Sequence, residues 1–347
     1  MKEIYFKGHK IFEFNDDNAI QIIGNNNYLI RTISDIYYKI FSGYRFSDLD
    51  IEAMNGYYPE VRENDSVLKK NDIIVVRLSD IDDILDQLTI KKNSILVKYI
   101  LSLNDRILIN KSIEQIDKAL VELSICIDNL VEERLSITDM FIRTEINDIN
   151  LDNIVKNFID INFVNLDDER IPLWLLTDSQ AVNLFLNIIG LILGEGKKTR
   201  VVLDRLDSKM ELKEYKKMVE ALFVLTERYS NFGIWIIPSC EKGVFVDYRI
   251  FNNTYICKED IIKFGDFEIT YESICRNYPD NNFPEKQEVL SSLLQLLPFH
   301  TPAKEYLSTK ETIIMSIFLE LTGEEGKVGV KKDCLSKLEY NFLTRYD

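Results

Sequence analysis

A chain of 347 residues, 46% of them hydrophobic, exceeds what one core usually fills, so two or three substructures are expected. No stretch reaches the unbroken apolar span of a membrane helix, and the start, MKEIYFKGHKIFEF, lacks the order of a signal peptide; the chain reads as cytoplasmic, with no membrane partner. A net charge of −15 argues by itself against nucleic acid, five cysteines without a CxxC pair argue against a zinc cluster, and two histidines leave little room for histidine catalysis.

EIYF and KIFEF, joined by Lys7-Gly8-His9, alternate like a β-hairpin. AIQII supplies a short buried strand that ends at Gly24. Tyr28 to Phe41 follows with Leu29, Ile33, Ile36, Tyr37 and Ile40 on one helical face, and Gly43 marks its end. After a polar loop through Pro59, NDIIVVRLS (71–79) is a strand candidate. Ser79 with Asp82 caps a helix predicted over IDDILDQLTIKKNSILVKYILSL. A capping box of Ser112 with Gln115 predicts the next helix. On it Ile113, Ile116, Leu120, Leu123, Ile127 and Leu130 step by three and four, a heptad seam. Two readings fit so few heptads: a long antiparallel arm or hairpin with the preceding helix, shared between subunits, or an amphipathic helix on its own core.

Thr177 with Gln180 caps AVNLFLNIIGLILGEG, which is apolar on most sides and so is expected to be buried. TRVVLD, an amphipathic helix from Glu211 to Tyr229 and GIWIIP suggest a parallel βαβ unit. GVFVDYRI and TYIC read as a shorter strand pair. Beyond Lys258, with breaks at Pro279, Pro284, Pro298 and Pro302, the chain reads as a mostly helical extension. The expected fold class is α/β: a head from 1–79 and 195–258, a helical arm over 80–194 and an extension over 259–347.

QIIGNNNYLIRTI has the strand, loop and helix order of a phosphate-binding loop. Such a loop needs a second glycine, a lysine for the phosphates and a hydroxyl for magnesium; counted from Gly24, those positions hold Leu29, Ile30 and Arg31. Asp204 ends TRVVLD where a metal-holding acid belongs, but Arg205 follows where a catalytic glutamate is usual. No nucleotide is therefore expected. The alternative is a P-loop enzyme whose Arg31-Thr32 serves one residue late. TGEEGKVGVKK near Gly323 has the wrong spacing for a phosphate loop, and Asp204 with Asp207 reads as a sheet-edge loop before it reads as a carboxylate pair.

Charge is unevenly spread. Five bases face one acid between Lys91 and Lys111, fourteen acids meet five bases from Ser112 to Arg170, and eight bases meet four acids from Lys197 to Lys217. These are either solvated helix faces or a basic surface on an acidic chain. In EINDINLDNI (145–154), Asp148, Asn150 and Asp152 alternate as in the opening of a helix-loop-helix calcium site. Asn153 at the glycine position and Ile159 at the bidentate glutamate exclude a complete loop, leaving a looser site or a cap for NIVKNFI.

A degenerate ATPase-like head, an inserted helical arm, VVLDRLDSKMELKEYKKMVEALF followed by GIWIIPS, and a tail extension resemble the DNA-end-binding ring protein of type II-A CRISPR spacer acquisition, in its larger subfamily. The likeness covers about residues 1–260. It implies a homotetrameric ring with a basic channel, threaded from the ends by linear double-stranded DNA, without sequence readout or catalysis, in CRISPR antiviral defence. It also implies calcium ordering acidic loops near the legs, and the integrase pair and effector nuclease of the same system as partners. On this reading DNA meets Lys69, Lys70, Lys91, Lys92, Lys98, Lys197, Lys198 and Arg200, and calcium meets Glu133, Glu145, Asp148 and Asp152. A scaffold that binds only proteins through the heptad seam remains the third reading.

Overall fold

The computed structural model describes residues 1–15, 19–91, 93–135, 144–147, 149–164, 168–280, 282–299, 307–323 and 338, apart from the side chains of 133–135. β1 (Lys2–Phe6) and β2 (His9–Phe14) form the expected antiparallel hairpin. β3 (Ala19–Gly24) and α1 (Asn27–Ser42) follow as expected, and Gly43 closes α1 at φ 73°. α2 (Asp48–Ala53), β4 (Glu60–Glu63) and β5 (Ser66–Val67) come next; a small antiparallel sheet runs β2-β1-β4-β5. The strand in NDIIVVRLS is β6 (Ile74–Leu78).

The helix expected after Ser79 is instead two, α3 (Ile81–Gln87) and α4 (Ile95–Ser102). Asp83, not Asp82, holds Ser79, accepting from its N–H and hydroxyl at 2.7 Å each. Ser94 donates to Thr89 O at 2.7 Å and accepts from Val97 N at 3.2 Å, so its side chain breaks one helix and caps the next. α5 (Ile107–Leu135) starts upstream of Ser112, whose hydroxyl donates back to Leu108 O at 3.0 Å, so the expected capping box is absent. The eight residues of α4 are too few to pair along the 29 of α5, which rules out a hairpin of that length between them. α6 (Leu151–Phe158), the strand pair β7 (Phe163–Val164) and β8 (Arg170–Ile171), and α7 (Asp178–Gly194) follow, α7 opening on the expected Thr177–Gln180 box.

β9 (Thr199–Asp204), α8 (Leu212–Arg228) and β10 (Phe232–Ile237) form the parallel βαβ unit. GVFVDYRI is not a strand. The Gln21 side chain accepts from Phe245 N at 2.9 Å and donates to Phe245 O at 3.3 Å, which takes the backbone groups a ladder would use; α9 (Tyr248–Phe251) follows. β11 (Thr254–Cys257) pairs instead with β12 (Ile261–Lys263). α10 (Phe267–Asn277), α11 (Lys286–Ser291) and α12 (Thr309–Thr322) are the α-helices among the described segments of the tail. The main sheet runs β12-β11-β3-β10-β9-β6, parallel apart from β12.

The chain divides into two compact units, Met1–Asp83 with Gly196–Asp347, and Ile84–Glu195. In the first, α1 and the small sheet cover one face of the main sheet around Trp235, which stacks on Tyr37 at 4.2 Å and meets Phe14 edge-on at 5.0 Å. Residues Ile23, Val244 and Ile256 share a second core with Phe267, Ile274, Leu293, Ile314 and Phe318 of the tail. Central strands buried on both faces explain why β3, β9 and β10 read as unbroken apolar runs. In the second unit Val97, Leu151 and Val155 form a small core with Ile100, Ile109 and Ile113. No helix among the described residues is long and apolar enough to cross a membrane.

Candidate functional site

At the carboxyl ends of parallel strands, where sheets of this kind bind ligands, the phosphate-loop outline is filled by its own chain. Only Asn25 and Asn26 separate β3 from α1. Asn26 N donates to Cys257 O at 3.1 Å, its Oδ1 accepts from Leu29 N at 3.1 Å, and its Nδ2 donates to Lys258 O at 2.7 Å. Gly24, at φ 133°, lies so close to β11 that a β-carbon would meet Cys257 O at 2.3 Å. Leu29, Ile30 and Arg31 belong to the first turns of α1: Ile30 is buried and Arg31 reaches Asp35 at 3.5 Å. In the offset alternative, the Thr32 hydroxyl donates to Tyr28 O at 2.8 Å, inside its own helix.

Asp204 does end its strand at this place, but an arginine meets it. Arg77, on the neighbouring β6, sends Nη2 to Asp204 Oδ2 at 2.6 Å and Nη1 to Asp35 Oδ1 at 2.5 Å. The Ser34 hydroxyl donates to the same Asp204 oxygen at 2.9 Å. Burial works against the charge of Arg77, and the carboxylates of Asp204 and Asp35 outweigh it, holding its pKa above the ordinary value. Arg205, at φ 60°, donates across the loop to Asn27 Oδ1 at 3.3 Å. Sequence reasoning missed Ser34, Asp35 and Arg77. The one available signal was a charge interrupting IIVVRL. Asp207 is occupied elsewhere, accepting from Ser239 N at 2.8 Å and its hydroxyl at 2.7 Å.

The candidate basic residues separate by environment. Lys69, Lys70 and Lys197 are exposed and Lys198 is half-buried. Lys197-Lys198 leads directly into β9, and Lys198 O accepts from Ile74 N, the first residue of β6, at 2.8 Å. Lys69-Lys70 precedes that same strand. Both pairs thus enter the amino-terminal side of neighbouring strands, the end opposite Asp204. Lys70 lies over the carboxyl end of α1, its Nζ 3.9 Å from where a β-carbon on Gly43 would stand, a favourable place for a cation.

Arg200 must be withdrawn from this set. It is 0% exposed, and its Nη1 donates to Thr199 O at 2.9 Å and Asn231 O at 3.1 Å, so in this conformation it offers nothing to a phosphate. Lys91 is exposed and paired with Asp86. Lys98 is half-buried in α4, and Lys92 lies outside the described residues.

Of the calcium candidates, Asp148 and the Glu133 side chain also lie outside the described residues. Glu145 is exposed, one residue after Thr144, whose N–H and hydroxyl both donate to Asp128 of α5 at 2.8 Å. Asn150 caps α6, accepting from Asn153 N at 2.9 Å, and Asp152 in its first turn pairs with Lys156. Among the described residues no three carboxylate, histidine or cysteine side chains converge.

A family model described as CRISPR-associated protein Csn2, subfamily St, matches residues 6–333. Among solved structures, Stu0660 of Streptococcus thermophilus is similar over 99% of both chains at 19% identity, with a TM-score of 0.78, which shows a shared fold. Two ABC-transporter ATP-binding proteins overlap at a TM-score of 0.36, too low to speak for one. They are cbiO1 of Clostridium perfringens (11% identity, 78% of this chain and 88% of that one) and MJ1267 (13% identity, 80% and 96%). No curated protein matches in sequence. A family match across nearly the whole chain, on an α/β head with a helical insertion, makes this chain a member of the type II-A CRISPR-associated Csn2 family, subfamily St.

Proposed function

We propose that the protein holds the ends of linear double-stranded DNA, without sequence readout and without catalysis, as a homotetrameric ring in CRISPR spacer acquisition. The observation that carries this reading is the pairing of Lys69-Lys70 with Lys197-Lys198 at one end of β6 and β9, on an otherwise acidic chain. Lysines so placed meet phosphate oxygens and leave bases unread. A phosphate loop closed by its own side chains supports the non-catalytic part. The apolar seam of α5, exposed at Leu123 and Leu130, supports assembly between copies. Calcium bound by Glu145 and Asp152, with Glu133 and Asp148, is the cofactor of this reading, and the integrase pair and effector nuclease are its cytoplasmic partners.

The test is a salt series of duplex binding with the wild type and with a variant carrying Lys69→Glu, Lys70→Glu, Lys197→Glu and Lys198→Glu. Wild-type affinity is expected to fall steeply with salt, and the variant to bind at least about tenfold more weakly with a shallower slope. Equal slopes would remove these lysines from the interface. Absence of binding by the wild type at low salt would leave the protein-only scaffold in place of the DNA reading.

A further inference from the structure

Two carboxylates meet one guanidinium at the end of the main sheet, and a serine hydroxyl donates to one of them. Asp204, at 6% exposure, accepts from Ser34 Oγ at 2.9 Å and from Arg77 Nη2 at 2.6 Å, and Asp35 accepts from Arg77 Nη1 at 2.5 Å. Arg31 also approaches Asp35, at 3.5 Å, from a position that is mostly exposed. A carboxylate as buried as Asp204 needs a compensating cation. In a phosphate-loop enzyme that cation is a divalent ion, held by a hydroxyl on the loop helix and an acid at the end of the neighbouring strand. Here a hydroxyl of α1, Ser34, three positions beyond the one counted from Gly24, meets the acid, Asp204 on β9. The charge between the acids is the side chain of β6.

We propose that Arg77 is a built-in replacement for that ion: it closes the pocket with a tethered charge, frees the head from any need for metal or nucleotide, and masks a divalent-cation site formed by Asp204, Asp35 and Ser34. Its attachment decides the matter of exchange. Arg77 is registered to Val202 along β9, so its guanidinium is tethered beside the two carboxylates, whereas a bound ion comes and goes. Its hold rests on the two terminal nitrogens, because Nε is buried with no hydrogen-bond partner among the described residues. A guanidinium fork spans two carboxylates at once, which a lysine ammonium on a single stem does less well. Any metal dependence of the whole protein then originates outside this pocket.

The experiment uses the full chain without DNA, so its failure and that of the DNA-binding proposal are separate results. Wild type, Arg77→Met and the double variant Arg77→Met with Asp204→Asn are melted with and without saturating manganese, and manganese binding is followed by titration calorimetry. Arg77→Met is expected to melt about 5 °C lower or more, since it leaves a buried carboxylate unpaired. Manganese should restore about half of that loss or more. The same ion should shift the wild type and the double variant less, and the double variant should recover stability without metal. Should Arg77→Met refold poorly, its soluble yield with and without manganese gives the same reading, and Arg77→Lys should show a smaller loss and a smaller rescue. An Arg77→Met variant that melts like wild type, or that gains no more from manganese than the other two proteins, overturns the proposal.

Discussion

Lys98 sits in α4 with no ion pair among the described residues, and burial pushes its ammonium from 10.5 down to about 8. Between those values the unfolded chain binds a proton that the folded chain does not, so stability rises with pH across that window; below about 8 both states are charged and the cost is felt in full. Lys98→Met is therefore expected to melt above the wild type at pH 7, with the gap closing toward pH 10. A gap that does not change with pH would show that burial of the charge is not the cause. The same physics decides which basic residues can serve DNA. Lys197 and Arg200 stand three positions apart in one basic run, yet one is exposed and the other fully buried, because β9 is covered on both faces. Composition cannot make that distinction. Nor does it show that Arg77 answers Asp204, since the partners are 127 positions apart and meet only through adjacent parallel strands.

α5 carries a problem of packing. Ile109 and Ile113 join the core of the helical unit, but the later seam residues Ile116, Leu120, Leu123, Ile127 and Leu130 are 41, 36, 53, 39 and 61% exposed. Water against so continuous an apolar stripe is unfavourable, and in the proposed ring a second copy covers it. Leu123→Glu is then expected to lower the mass measured by light scattering while leaving the unfolding midpoint of the dissociated chain nearly unchanged. A lower midpoint at unchanged mass would mean that the seam packs within its own chain. Elements with their signals close by in sequence were legible: the hairpin about Gly8, α1 closed by Gly43, the Thr177–Gln180 box and the β9-α8-β10 unit. Those settled by side-chain competition were not. Ser94 divides α3 from α4 by bonding Thr89, and Gln21 removes Phe245 from any ladder across more than two hundred residues. The site followed the same division. The empty chemistry at Leu29, Ile30 and Arg31 was visible by counting, while the arginine that closes the pocket required the sheet order to be known.

For the molecule as a whole, a net charge of −15 and the proposed DNA binding are reconciled by where the charge lies. The Lys69-Lys70 and Lys197-Lys198 pairs gather at one end of the main sheet with Asp72, which accepts from Lys69 N at 2.7 Å, as a nearby acid; at physiological salt a surface charge acts over about 8 Å, so a phosphate at that edge feels this local excess of lysine before the acids farther away. Enclosure adds a demand that simple attraction does not: a closed ring admits duplex only where a free end exists. The decisive measurement is binding of the protein to one duplex sequence in linear and in covalently closed circular form, at the same low salt and in one preparation. Strong binding to the linear form with little to the circle, appearing when the circle is cut, is the expected result. Equal binding to both forms would contradict an encircling ring and leave only an adhesive basic edge.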